Sequence, residues 1–179
     1  MKSRILIVLL FFSLSFYAQE KYYTKSGTII FEASVPAFEE VKATSSKVTA
    51  VFKSETGDIA ALALVRGFRF KVALMEEHFN ENYAESDKFP KAKFLGKIQN
   101  YNASILNGNK IIIKGELTFH GITNNVEVNG EINKKGNSIN LSANLSVKPE
   151  DYNINIPKLI RKKVAETIDI QINFDLIKK

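Results

Sequence analysis

The run TIDIQINFDLI, residues 167–177, puts Ile168, Ile170, Ile172, Phe174 and Leu176 on one side and polar residues on the other without a break. A strict period of two is the mark of a β-strand with one buried and one wet face. The same pattern recurs upstream. SINLSANLSVK alternates Ile139, Leu141, Ala143, Leu145 and Val147, and NNVEVNGEIN alternates Val126, Val128, Gly130 and Ile132. NKIIIKGELTF aligns Ile111, Ile113, Gly115, Leu117 and Phe119, and KAKFLGKIQNY aligns Ala92, Phe94, Gly96 and Ile98. Nearer the start, GTIIFEASVP carries Ile29, Phe31, Ala33 and Val35 on one face, and KVTAVFK carries Val48, Ala50 and Phe52. DIAALALVRGFRFKV is more continuously apolar, with Arg66-Gly67 as a kink or bulge. LNGNK reads as the hairpin turn between KAKFLGKIQNY and NKIIIKGELTF, and KKGNS as a further turn.

The chain therefore reads as all-β, with about eight antiparallel strands. Long strands with one wet face must pack as a sandwich or close into a barrel, and closure removes the exposed edges. A barrel of roughly eight strands has an interior that side chains can fill or that can hold one small ligand. Gly96, Gly115 and Gly130 fall on inward phases. They either leave room inside or let the strands bend around a filled core.

MEEHFNENYAESDKFP, residues 75–90, breaks the alternation. If Leu74–Tyr83 is helical, Leu74, Met75, Phe79 and Tyr83 share a face, with His78 and Asn82 at its border. Glu76, Glu77, Asn80 and Glu81 then face away, and Pro90 ends the helix. Such a helix would cap one end of a barrel, with Met75 and Phe79 touching either the core or a bound chain; an adaptable methionine suits a flexible tail. NIPKLIRKKVAE, residues 155–166, is a second short helix candidate. In it Leu159, Ile160 and Val164 would share a face and leave Arg161, Lys162 and Lys163 wet. That basic stretch is either a solvated face or a lip that meets an anionic membrane surface.

Residues 1–18 have the layout of a secretory signal. Lys2 and Arg4 precede an apolar run, Ile5 to Leu14, too short to span a bilayer comfortably. Cleavage is expected between Ala18 and Gln19, leaving residues 19–179 as one domain in the periplasm or outside the cell. Cysteine is absent, which excludes thiolate catalysis, cysteine metal sites and disulfides. The net charge of +6 falls to +4 without Lys2 and Arg4, and no basic run interleaves with aromatics, so nucleic acid is not expected. Neither His78 nor His120 has a second histidine at helical spacing, and no metal or other cofactor is expected.

Three further stretches are similar to a known family. GELTFHGITNNVEV (residues 115–128), ESDKFPKAKFLGKI (85–98) and PEDYNINIP (149–157) resemble, in order and spacing, the markers of the YceI-like family. The resemblance implies an exported, extended, lipocalin-like antiparallel barrel with an apolar tunnel, which the one or two short helices read above would cap at an end. In some members that tunnel holds a long isoprenoid or fatty-acyl chain. It brings no catalytic set.

On this reading the protein is a carrier for a long-chain apolar small molecule, monomeric or dimeric, and not an enzyme. The inward residues Phe31, Phe52, Phe70, Phe94, Ile111, Ile113, Phe119, Ile170 and Phe174 would form the tunnel wall, with Met75, His78 and Phe79 at the cap. One alternative is a filled barrel that binds another protein. A lipid-acting enzyme is the other, and it would need ionisable residues on inward phases, where almost every residue is apolar.

Overall fold

The computed structural model describes residues 20–36 and 38–179, so the expected export signal lies outside the described residues. Among the described residues nine strands form: β1 (Lys21–Glu32), β2 (Lys42–Lys53), β3 (Asp58–Leu64), β4 (Arg69–Phe70), β5 (Lys91–Ile98), β6 (Asn107–Phe119), β7 (Ile122–Lys135), β8 (Ser138–Val147) and β9 (Ile168–Lys178). Eight of them close into an antiparallel barrel in the order β1-β2-β3-β5-β6-β7-β8-β9, with β9 pairing back onto β1. The two-residue β4 is an extra strand, pairing Ala43 and Thr44 of β2. The kink at Arg66-Gly67 is a 3₁₀ turn, Val65–Gly67, between β3 and β4.

β1 begins earlier than its alternation suggests. Tyr22 and Thr24 point inward, then the register shifts between Thr24 and Gly27 and again before Ile29. This bulge breaks the period of two, which hides the first half of the strand. LNGNK is not the hairpin turn between β5 and β6. β6 already starts at Asn107, and the connection lies at residues 99–106, closed by the 3₁₀ turn Ala103–Leu106.

The inward glycines serve the wall rather than the hollow. Gly96 and Gly115 pair across β5 and β6, and a Cβ on Gly115 would collide with the Leu95 carbonyl oxygen. A Cβ on Gly96 would lie 2.5 Å from Cζ of Phe94. Close approach of strand to strand and ring to backbone requires glycine here.

One end of the barrel is filled. Tyr22, Phe52, Ile98, Ile132, Ile139 and Leu176 are wholly buried there, each worth roughly 1.5–3 kcal/mol of transfer free energy. Tyr101 closes this end: its ring meets Phe52 edge-on at 6.0 Å, and its hydroxyl donates to the Ser54 carbonyl oxygen at 2.5 Å. The chain ends of the fold also meet here, with the Lys179 N–H donating to the Lys21 carbonyl at 2.8 Å.

The other end carries the long connections, residues 33–41, 65–90 and 148–167. The one α-helix among the described residues, α1 (Ala73–His78), lies in the second and runs on into one π-turn, Phe79–Tyr83. The second helix expected at residues 155–166 does not form; a 3₁₀ turn at Arg161–Lys163 takes its place. The residue before Pro157 is Ile156, which has no side-chain oxygen to cap a helix start, and so short a helix is marginal without one. Leu159 accordingly points into solvent, 91% exposed, instead of sharing a face with Ile160 and Val164.

Candidate ligand-binding site

Between the filled end and the long connections lies a cavity of about 400 Å³. Ile59, Ile113, Val128, Leu141 and Phe174 line its floor and are themselves almost fully buried. Two residues further along their strands, Ile111, Ile139 and Leu176 no longer touch it and belong to the filled end. The tunnel is therefore blind. Its middle is built from small inward residues, among them Ala61, Ala63, Ala92 and Ala143. The alanines, not the glycines, make the room: each leaves vacant the volume that a leucine or phenylalanine fills at the other end.

The helix closes one side of the mouth through Phe79. Its ring lies 5.2 Å from both Phe31 and Phe70, and Phe31 lies 5.3 Å from Phe68. Such tilted aromatic packing adds to simple burial. Met75, His78 and Tyr83 also line the cavity, whereas Leu74 faces solvent at 58% exposure. With Met75 and Phe79 aimed inward, Leu74 is about a quarter-turn off that face. Glu76 does not simply face away. Its carboxylate accepts from Arg69 Nη1 at 2.7 Å and from the Phe70 N–H at 3.1 Å, tying the helix to β4.

Of the residues singled out from the sequence, Phe31, Phe70, Met75, His78, Phe79, Phe94, Ile113, Phe119, Ile170 and Phe174 line this cavity. Phe52 and Ile111 lie in the filled end instead. Sequence reading missed the third wall of the mouth, where Tyr152, Ile154, Ile156, Ile160 and Val164 come from the connection between β8 and β9. The alternation of NINI in residues 153–156 was the available signal.

Polar groups gather at the mouth. Glu39, His78, Lys148 and Lys163 are the lining residues with an ionisable head other than tyrosine. Tyr83 and Tyr152 complete the set, and burial pushes both hydroxyls above the ordinary tyrosine range.

Beside the mouth, His120 braces three segments. It is buried and adopts φ +50° in the turn between β6 and β7. Its Nδ1 lies 2.9 Å from the Tyr152 carbonyl oxygen, an acceptor only, so Nδ1 carries the proton and donates. Nε2 lies 2.7 Å from a carboxylate oxygen of Glu85, just past the helix. The Phe89 ring packs edge-on against the imidazole at 4.6 Å and covers Gly121, whose φ of +76° suits glycine. Asn124 donates to the Asp151 carbonyl at 2.6 Å. The three stretches that carried the family resemblance thus meet at one place.

Comparison with solved structures agrees on the fold. A polyisoprenoid binding domain from Saccharophagus degradans, implicated in plant cell wall breakdown, superposes with a TM-score of 0.74 at 10% identity, over 90% of this chain and 99% of that one. BcnA of Burkholderia cenocepacia gives 0.70 at 18% identity, over 85% and 96%. The YceI protein of Campylobacter jejuni gives 0.62 at 16% identity, over 81% and 88%. No curated protein matches the sequence. The family description "YceI-like domain" matches residues 21–176, and with that span the chain belongs to the YceI-like family.

Proposed function

We propose that this protein is an exported binding protein that holds one long apolar chain in its blind tunnel and performs no chemistry on it. The observation that carries the reading is the tunnel itself: an apolar hollow of about 400 Å³, open at one end beneath the aromatic cluster anchored by Phe79. The Saccharophagus degradans domain of the same fold is described as polyisoprenoid binding, which favours the same kind of occupant here. Burying about ten methylenes at roughly 0.8 kcal/mol each would supply ~8 kcal/mol before ordering costs. No polar recognition is needed along such a tail. The ionisable lining residues stand at the mouth rather than converging on the wall, which favours carriage over catalysis. The signal-like layout of residues 1–18 supports export, and the exposed Arg161 and Lys162 beside the mouth would face an anionic membrane surface during loading.

The test is to express the chain with its own first residues, purify it from the exported fraction without detergent, and record native mass spectra before and after solvent extraction. A stoichiometric bound mass that extraction removes is expected. A clean unliganded mass that persists after incubation with isoprenoid and fatty-acyl chains would sink the proposal.

A further inference from the structure

We infer that the chain held in this tunnel ends in an anionic head, a carboxylate or a phosphate ester, seated at the mouth between Lys148 and Lys163. The inference rests on the tunnel reading above and adds the chemistry of the head. Both lysines line the cavity where it opens. Among the described residues Lys163 has no ion-pair partner, and Lys148 has only a long 3.8 Å contact to Glu150, with both side chains more than half exposed. Neither charge is spent on a fixed partner.

The connection that carries Lys163 points the same way. Lys158, Arg161 and Lys162 precede Lys163 on the same connection, and the first acid after them is Glu166. Glu39 is the one acid of the lining, and it lies within ion-pairing distance of neither lysine. Positive charge is therefore concentrated on this side of the opening, while the helix opposite carries Glu76, Glu77 and Glu81. His78 adds a hydrogen-bonding ring from the helix side.

The interior forces the head outward. The floor is Ile59, Ile113, Val128, Leu141 and Phe174, with no group to replace the water a charged head would lose. The blind floor also limits the tail. At the roughly 30 Å³ that a water-sized group such as a methylene occupies, a cavity of about 400 Å³ accepts on the order of a dozen carbons. The occupant is a single-chain anionic amphiphile whose tail is about that long, or a longer chain whose remainder stays outside.

The test compares dodecanoate, dodecyl phosphate and methyl dodecanoate below their aggregation concentrations, by titration calorimetry on the intact exported protein at low salt. The two anions should bind on the order of five- to tenfold more tightly than the ester, as two exposed cations allow. Their advantage should shrink in 0.5 M salt, and in a Lys148→Glu/Lys163→Glu variant the ratio of anion to ester affinity should fall to one or below. If only one anion is favoured, the head is of that source. Equal affinity for ester and anions, or a ratio that salt leaves unchanged, overturns the anionic head and leaves the tunnel standing. Failure of all three probes to bind overturns the tunnel reading and this inference with it.

Discussion

The two ends of the barrel are made by the same strands with the same alternation, yet one is solid and the other hollow. On β9, Leu176 is fully buried, while Ile170, on the same face, lies against the cavity. On β8, Ile139 is fully buried and Leu145 is only half-buried against open space. Two things change along the axis. Inward side chains are large at the filled end, as Tyr22 and Phe52 show, while the middle of the tunnel carries Ala61, Ala63, Ala92 and Ala143 among its larger wall residues. The hollow end carries the three long connections, residues 33–41, 65–90 and 148–167, whereas no connection at the filled end is longer than residues 99–106. Alternation decides which way a residue points; volume and loop length decide what it meets there.

The same deletion made at both ends would break or sharpen this contrast. Leu176→Ala should cost about 3–4 kcal/mol in urea denaturation, because close-packed neighbours cannot collapse into the gap. Next in size is His120→Ala, near the mouth but in a packed brace. It strands the Tyr152 carbonyl and the Glu85 carboxylate, and a loss of about 2 kcal/mol is expected, with faster hydrogen exchange in residues 85–90. Leu145→Ala should cost least, about 1 kcal/mol, since the side chain already borders empty space. It should also weaken binding of a tail. Equal losses for the two leucines would mean that the open end packs as tightly as the filled one.

Much of the wall was legible in the chain. The second half of β2 and the strands β5 to β9 read cleanly because each has one wet and one dry face, and the Arg66-Gly67 kink showed as an interruption in the continuously apolar β3. The first half of β1 was hidden by its bulge, and Leu74 was misplaced because residues next to one another on a helix differ by about 100°. Phe52 and Ile111 have the same phase as the tunnel wall, and phase carries no information about depth. The inward alanines mark the hollow, but alanine and glycine share that phase, and only the packed contacts around the glycines tell the two apart. The brace around His120 joins residues 35 and 32 positions apart, and no periodicity links such distances.

The seam of the barrel has a temporal consequence. β9 lies between β1 and β8, so the wall is completed only when residues 168–178 reach a strand that left the start of the fold far earlier. Contacts of such sequence separation form slowly. Until they form, β1 and β8 each present an open row of backbone donors and acceptors that another chain could pair with. The finished molecule has sealed that row, so its exposure to misassembly belongs to the interval before the last strand arrives. A tail can find a blind hollow only once that interval is over.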